Sequence, residues 1–304
     1  MSWVNSVKEL VGRTPMLRLN NLGLSDEIVL LAKLELFNPG GSVKDRIGLS
    51  MIESAERSGA LRAGGAVVEA TAGNTGIGIA IAALNKGYRV LFAVPEKFSC
   101  EKVTLMRALG AEIVRTPEAE GMEGARCKAR ELLAEIDGAV SLDQFENPAN
   151  PRIHSETTGS EIFGDSDGEL DYFVAGAGSG GTYSGAMRYL RERLPGIKGI
   201  LVDPIGSTMG GGDCGRYAIE GIGNSFIPST MDMSLVDEVV KVSDGESLEG
   251  VKLLARREGL IVGSSSGAAV AGAIKLASKL RSGGRIAVVL PDRGDRYFSK
   301  GIFQ

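Results

Sequence analysis

Hydrophobic positions along the chain follow two periods in turn. Short runs dense in Val, Ile, Leu and Ala predict strands over Ile28–Leu34, Ala66–Glu69, Arg89–Val94, Glu112–Arg115, Tyr172–Ala175, Gly199–Val202, Glu238–Val242 and Arg285–Leu290. Between them apolar residues recur at three- and four-residue spacing, as at Val43, Ile47, Met51 and Ala55. This predicts helices over Val43–Ser58, Gly76–Lys86, Cys100–Leu109, Glu123–Ile136, Arg152–Ile162, Gly181–Leu194, Leu248–Glu258 and Gly267–Leu280. Regular alternation of strand and helix implies an α/β fold with parallel sheets, in which ligands sit outside the carboxyl ends of strands. Eight strands divide best into two open, twisted sheets of about four each, with flanking helices. The Asn-Pro-Ala-Asn-Pro stretch at 147–151 marks the boundary.

Composition sharpens this in one respect. Glycine makes up 43 of 304 residues, about twice its usual ~7%. There is no Gly-X-Y period, so the excess belongs to turns and to close backbone approaches. Many glycines follow strands: Gly73, Gly76 and Gly78; Gly176, Gly178, Gly180 and Gly181; Gly263 and Gly267. A single histidine, His154, excludes a zinc site built on several imidazoles and reads as a structural first-turn residue. Three cysteines, Cys100, Cys127 and Cys214, have no metal spacing and imply free thiols; Cys100 reads as a buried, inert one. The net charge of −4 marks no nucleic-acid surface. No apolar run approaches the ~18 residues of a membrane span. The N-terminal Met1-Ser2-Trp3-Val4-Asn5 lacks a secretory pattern, so the cytoplasm is expected.

Four segments are candidates for chemistry. In Asn38-Pro39-Gly40-Gly41-Ser42-Val43-Lys44-Asp45-Arg46, Ser42 and Asp45 make a capping-box-like helix start. Lys44 then lies in the first turn, where the helix dipole disfavours a cation and favours a free amine. The alternative is an ordinary surface lysine. Gly176-Ala177-Gly178-Ser179-Gly180-Gly181-Thr182 fits G-x-G-x-x-G between strand and helix, with Asp203 ending the next strand. That pattern serves a dinucleotide or a simple phosphate cup equally. Glu69-Ala70-Thr71-Ala72-Gly73-Asn74-Thr75-Gly76 suits a carboxylate at a helix N-terminus, or is only a tight turn capped by Thr75. In Gly263-Ser264-Ser265-Ser266-Gly267 at least one serine is an N-cap, leaving a hydroxyl for the strand ends. Asp232 reads as a loop cap.

Taken in order, these four segments resemble the cysteine synthase and cystathionine β-synthase family. Gln144-Phe145-Glu146-Asn147-Pro148-Ala149-Asn150-Pro151 and Glu220-Gly221-Ile222-Gly223-Asn224-Ser225-Phe226-Ile227-Pro228 fit as well. The family is the fold-type II, tryptophan synthase β-like group of pyridoxal 5′-phosphate enzymes, and the resemblance runs from about Val7 to the C-terminus. It implies a smaller N-terminal domain over 36–148 with a mobile substrate loop, and a larger phosphate-binding domain from 1–35 and 149–304. It also implies that Lys44 forms the Schiff base and then moves the Cα proton. Gly178, Ser179, Gly180, Gly181 and Thr182 would cup the phosphate. Asn74 matches the residue beside the 3′-oxygen, and Ser265 the hydroxyl on the pyridine nitrogen. Thr71, Ala72, Gly73, Asn74, Thr75, Gln144 and Gly223 would bind the amino-acid substrate. The neutral Ser265 leaves the pyridine ring a weaker electron sink, which favours β-substituent loss over transamination.

The implied reaction is β-replacement: O-acetyl-L-serine and sulfide give L-cysteine and acetate through an α-aminoacrylate. Alternatives are cystathionine synthesis from serine or O-acetylserine with homocysteine, and cysteine breakdown releasing sulfide with Asp232 as a base. Two departures bear on the choice. Many cysteine synthases carry serine where this chain has Ala72, and the Thr-Ala-Gly-Asn variant with Val94-Pro95-Glu96-Lys97-Phe98-Ser99 resembles the cystathionine-forming branch. The glycine-rich stretch Gly206–Arg216 would stand at the site entrance. A homodimer, no nucleic acid, no membrane and no metal complete the expectation.

Overall fold

Strands rich in branched residues satisfy their backbone only by pairing. The computed structural model describes residues 3–96 and 100–303. Lys97–Ser99 of the Val94–Ser99 motif therefore lie outside the described residues, as do Met1 and Ser2. Among the described residues the strands are β1 (Met16–Arg18), β2 (Ile28–Leu34), β3 (Ala66–Ala70), β4 (Arg89–Pro95), β5 (Glu112–Thr116), β6 (Ala139–Val140), β7 (Tyr172–Gly176), β8 (Lys198–Pro204), β9 (Glu238–Val242) and β10 (Gly284–Leu290). The α-helices are α1 (Lys44–Arg57), α2 (Asn74–Ala83), α3 (Cys100–Ala108), α4 (Gly121–Glu135), α5 (Ala149–Ile153), α6 (Ser160–Asp165), α7 (Gly181–Arg193), α8 (Asp244–Glu258) and α9 (Ser264–Ala277).

The chain packs as two units. The first takes the residues up to Val11 together with Asn38–Ala149; the second takes Gly12–Phe37 and everything from Asn150 onward. In the first unit four parallel strands lie in the order β5-β4-β3-β6. In the second, six strands lie in the order β1-β2-β10-β7-β8-β9, all parallel except the edge strand β1. The expectation of four strands per sheet is thus corrected to four and six. The added strands are β1 and β6, three and two residues long, too short to carry a period.

Both sheets reverse direction once. The chain runs β3, β4, β5 outward and then returns to place β6 on the other side of β3. It likewise runs β7, β8, β9 and returns to place β10 beside β7. Such switch points open a crevice at the carboxyl ends of the two central strands. The Thr71 and Gln144 segments follow β3 and β6, and the Gly176 loop follows β7.

Alternating residues divide the six-stranded sheet between two cores. Leu30, Val174, Ile200, Val202, Ile286 and Val288 pack with α8 and α9, while Phe173, Ala175, Leu201, Ala287 and Val289 pack with Tyr183, Met187 and Leu190 of α7. The predicted 152–162 helix is divided into α5, a wide π turn over His154–Gly159, and α6. Packing explains the widening. A Cβ on Gly185 of α7 would lie 2.1 Å from the Pro151 oxygen and 2.7 Å from the His154 Cβ.

In the first unit α1 and α2 touch backbone to backbone. A Cβ on Gly48 would lie 2.3 Å from the Gly78 carbonyl carbon, and one on Gly78 would lie 2.3 Å from the Lys44 oxygen. Neither neighbour is a flexible tip, so one methyl must push two helices apart. Gly78→Ala is expected to cost at least 3 kcal/mol, with Gly48→Ala similar. Gly245→Ala on α8, where nothing lies within 4 Å, is expected to be neutral or to stabilise by about 0.5 kcal/mol. Urea denaturation of the three variants checks both.

Candidate active site

In the first unit the candidate residues gather at helix starts. Helix α1 begins at Lys44 itself, with Val43 as its N-cap and no side-chain cap. The Ser42 hydroxyl accepts from the Lys44 N–H at 3.2 Å, and the Asp45 carboxylate accepts from Gly40 N–H. The expected capping box is therefore replaced by a two-residue turn at Ser42 and a five-residue one, in which Asp45 folds back over the Gly40–Gly41 corner. That corner needs glycine: Gly41 has φ +75°, and a Cβ on Gly40 would lie 2.5 Å from Asp45 Oδ1. Ser42 and Asp45 are buried and Lys44 is half-buried.

Helix α2 begins at Asn74 behind an N-cap Gly73. Thr75 is not its cap. The Thr75 hydroxyl donates to Gln144 Oε1 at 2.9 Å, tying the loop after β3 to the segment after β6. A second tie lies beneath it. Glu69 Oε1, at the end of β3, accepts from Ser141 Oγ and Asp143 N–H, each at 3.0 Å, and from Leu142 N–H. Burial pushes the Glu69 carboxyl above its ordinary value, against the pull of these three donors. Thr71, Ala72 and Thr75 are all buried. Lys44, Thr71, Ala72, Gly73, Asn74, Thr75 and Gln144 thus all belong to the first unit, at helix starts and strand ends.

In the second unit the loop between β7 and α7 carries the Gly176–Thr182 segment. Its glycines are crowded from behind. A Cβ would lie 2.7 Å from Ile222 at Gly176, 2.4 Å from the Gly221 oxygen at Gly178, 2.4 Å from Met231 at Gly180 and 1.9 Å from Asn150 Oδ1 at Gly181. The loop is clamped by Asn150 Nδ2 donating to Ser179 Oγ at 2.9 Å, and by the Thr230 hydroxyl donating to the Ser179 carbonyl. Asn224 Nδ2 donates to the Gly178 carbonyl, and Gly223 N–H to the Ala177 carbonyl at 2.8 Å. Gly223 turns there with φ +82°. A 13-residue helix then starts at Gly181 with no side chain capping it, so its N-terminal dipole faces an uncapped, glycine-lined corner. That is a cradle for an anion of phosphate size.

The dinucleotide alternative fails on Asp203. This carboxylate is fully buried and bound by Lys241 Nζ at 2.5 Å and Gly210 N–H at 3.0 Å, so it reaches no ribose. The same pair anchors the Gly206–Arg216 stretch. In the serine run the N-cap is Gly263 and none of the three serines caps α9. Ser264 Oγ instead accepts from Glu220 N–H at 3.1 Å. Ser266 Oγ is buried without a partner, and Ser265 is 4% exposed. A Cβ on Gly221 would stand 3.9 Å from Ser265 Oγ.

Several residues escaped the sequence reading. Glu69, Asn150, Thr230 and Asn224 act through contacts far apart in the chain. His154, expected in a first helical turn, instead opens the π turn after α5; it is buried, and its ring bridges the Thr158 hydroxyl at 2.8 Å and the Thr182 hydroxyl at 3.1 Å, so it steadies Thr182. Asp232 caps a short turn through Ser234 and pairs with Arg188 at 3.5 Å. Its hydrogen bond from the Ser234 hydroxyl, chief among these contacts, holds its carboxyl below the ordinary value. Such a group is a weak base. The buried assignment of Cys100 is corrected: it opens α3 and is exposed, as are Cys127 and Cys214. No metal-holding cluster of His, Cys, Asp or Glu occurs among the described residues, and no helix there is long and apolar enough to cross a membrane.

Residues 7–292 match the family model described as pyridoxal-phosphate dependent enzyme. The chain is 46% identical, over 100% of its length and 99% of the relative's, to an O-acetylserine dependent cystathionine β-synthase of Bacillus subtilis (strain 168). It is 42% identical, over 99% of its length and 97% of the relative's, to a cysteine synthase of Staphylococcus aureus (strain Mu50). A crystal structure of O-acetylserine dependent cystathionine β-synthase from Helicobacter pylori superposes with a TM-score of 0.94 at 42% identity, covering 100% of each chain.

The Glu69 tie has a signed consequence. A carboxyl whose value is raised in the fold stabilises below its unfolded pKa of about 4.3 and loses that contribution as pH rises through the raised value. Glu69→Gln cannot ionise. The melting temperature of the wild type is expected to fall relative to Glu69→Gln as pH rises from 4 towards 7, measured by paired thermal melts. A gap that does not move with pH would contradict the assignment.

Proposed function

The chain belongs to the cysteine synthase and cystathionine β-synthase family of pyridoxal-phosphate dependent enzymes, and from that premise we propose that it replaces the β-substituent of an activated serine. The reaction proposed is that of O-acetyl-L-serine with sulfide, giving L-cysteine and acetate. The observation that carries this reading is the pairing of α1 and α2. Their glycine contact sets Lys44 at one helix start beside the Thr71–Thr75 loop at another. A proton-transferring amine and a carboxylate-gripping loop thereby share one rigid element pair.

Each role is assigned to a residue of this chain. Pyridoxal phosphate, when bound, supplies the electron sink for chemistry at Cα. Lys44 Nζ holds the cofactor at rest and moves the α-proton. Gly178, Ser179, Gly180, Gly181 and Thr182 hold its phosphate, and the clamps from Asn150, Asn224 and Thr230 keep that loop in shape. Ser265 would offer a neutral hydroxyl to the ring nitrogen, and Asn74 would stand beside the 3′-oxygen. The Thr71–Thr75 backbone with Gln144 takes the substrate carboxylate. The Gln144 amide oxygen accepts from the Thr75 hydroxyl at 2.9 Å, which fixes that side chain against the loop. Gly223 completes the substrate contacts. A homodimer is proposed on the family likeness.

A second reading, homocysteine as acceptor with cystathionine as product, is favoured by Ala72, a buried methyl where many cysteine synthases carry a hydroxyl. The names of the Bacillus and Helicobacter relatives support it too. Cysteine breakdown through Asp232 loses support, since that carboxylate is committed to Ser234 and Arg188.

Two measurements test the proposal. The purified protein loaded with pyridoxal phosphate should absorb in the visible and turn over O-acetylserine with sulfide or homocysteine. Lys44→Ala should alter the visible band and lower kcat by at least 10³-fold, in the range of a lost acid–base group. No turnover with either acceptor, or an unchanged band in Lys44→Ala, would sink it. Separately, Asn150→Ala removes the donor to Ser179 and should weaken cofactor affinity by roughly tenfold, the scale of one buried hydrogen bond, read by fluorescence titration of the apoprotein.

A further inference from the structure

The first unit holds a cavity of about 410 Å³ that the reaction as described leaves unused. One wall is Thr71, Thr75 and Gln144, the residues assigned above to the substrate carboxylate; the facing wall is Glu123, Arg126 and Arg130 from α4. These three stand on one face of α4, spaced three, four and seven residues apart. The Glu123 carboxylate receives Arg126 Nη1 at 3.4 Å and Arg130 Nη2 at 3.1 Å. The α4 wall thus presents two guanidiniums and one carboxylate, and Glu69 and Asp143 add two carboxylates on the inner wall.

We infer that this cavity is a subsite for an acceptor that is itself an α-amino acid bearing a thiol, with Arg126 and Arg130 reading its carboxylate and Glu123 its ammonium. The inference rests on the β-replacement reading and deepens it.

Three features support the inference. The volume falls within the ~300–1,000 Å³ of small-molecule sites, far more than sulfide needs. The charge pattern mirrors a zwitterion, whereas sulfide carries no group that Glu123 could recognise. The ion pairs are also easily exchanged. All three side chains are about half to two-thirds exposed, where such pairs are weak and screened. An arriving carboxylate can therefore take a guanidinium from Glu123, and the freed Glu123 can accept the ammonium. Of the two acids on the inner wall, Glu69 is committed to the Ser141–Asp143 segment, and Asp143 Oδ1 accepts from the Phe145 N–H at 3.1 Å. Because the subsite shares Thr71, Thr75 and Gln144 with the donor-binding loop, a thiol anchored there lies next to the amino acid it is to attack.

The test uses holoenzyme and the variants Arg126→Gln/Arg130→Gln and Glu123→Gln. The ratio of kcat/KM for L-homocysteine to kcat/KM for sulfide, with O-acetylserine saturating, should fall at least tenfold in the double arginine variant. In Glu123→Gln it should fall as well, and preference for L-homocysteine over 4-mercaptobutanoate, which lacks the ammonium, should shrink. A ratio unchanged within twofold in both variants would overturn the inference. Calorimetric titration with 4-mercaptobutanoate, which cannot form a Schiff base, gives a readout independent of turnover. Its affinity should drop about tenfold in the double arginine variant, and equal affinity in wild type and variant would overturn the subsite. Absence of turnover with sulfide and homocysteine alike would defeat the β-replacement reading, while the calorimetric arm would still decide whether the cavity binds the carboxylate.

Discussion

The contact between Gly48 and Gly78 is the constraint on which the first unit depends. It lets two helices meet at backbone distance, and the atom that Gly78 faces is the carbonyl oxygen of Lys44. Any side chain there would separate the helix that begins with Lys44 from the helix that begins behind the Thr71–Gly73 loop. Sub-ångström misplacement of an acid–base group is costly in rate, so two absent methyls matter here as much as any functional group.

The second unit solves a different problem with the same residue type. Its loop between β7 and α7, proposed above to hold a phosphate, is bare on one side and clamped on the other. Glycines at 176, 178, 180 and 181 provide the bare side because the other is filled by Ile222, Gly221, Met231 and Asn150. Immobility comes from hydrogen bonds delivered by segments far away in sequence: Asn150, Asn224 and Thr230 to the loop backbone or Ser179, and His154 to Thr182. The lone histidine is therefore structural in the sense expected, but the structure it maintains is the anion cradle. In the proposed reaction proton transfer falls to Lys44, and a chain with one histidine would suffice for it.

Much of the fold was legible from periodicity because its strands are buried on both faces and read as continuous apolar runs. The eight strands signalled in that way all formed. What escaped had no local signal: β1 and β6 are too short, and the π turn at His154–Gly159 exists because α7 presses on it at Gly185. Capping was read less well than period. Ser42 with Asp45, Thr75 and the Ser264–Ser266 run all have the composition of N-caps, yet glycine or valine takes the cap position and those side chains bond elsewhere. A hydroxyl or carboxylate near a helix start can cap, but a tertiary partner such as Gln144 for Thr75 competes with the local N–H and wins.

The sequence by itself determined the alternating architecture, the positions of the glycine loops and the family to which their order belongs. All three depend on residues close together in the chain or on motifs kept as contiguous strings. Only the tertiary structure decided that Asp203 is spent on Lys241 and Gly210, that Glu69 ties β3 to the segment carrying Gln144, and that Glu123, Arg126 and Arg130 face the carboxylate loop across a cavity. A charged side chain carries the same letter whether it is solvated, committed to a partner or turned towards a ligand. Its role is fixed by neighbours that chain folding supplies from tens of residues away.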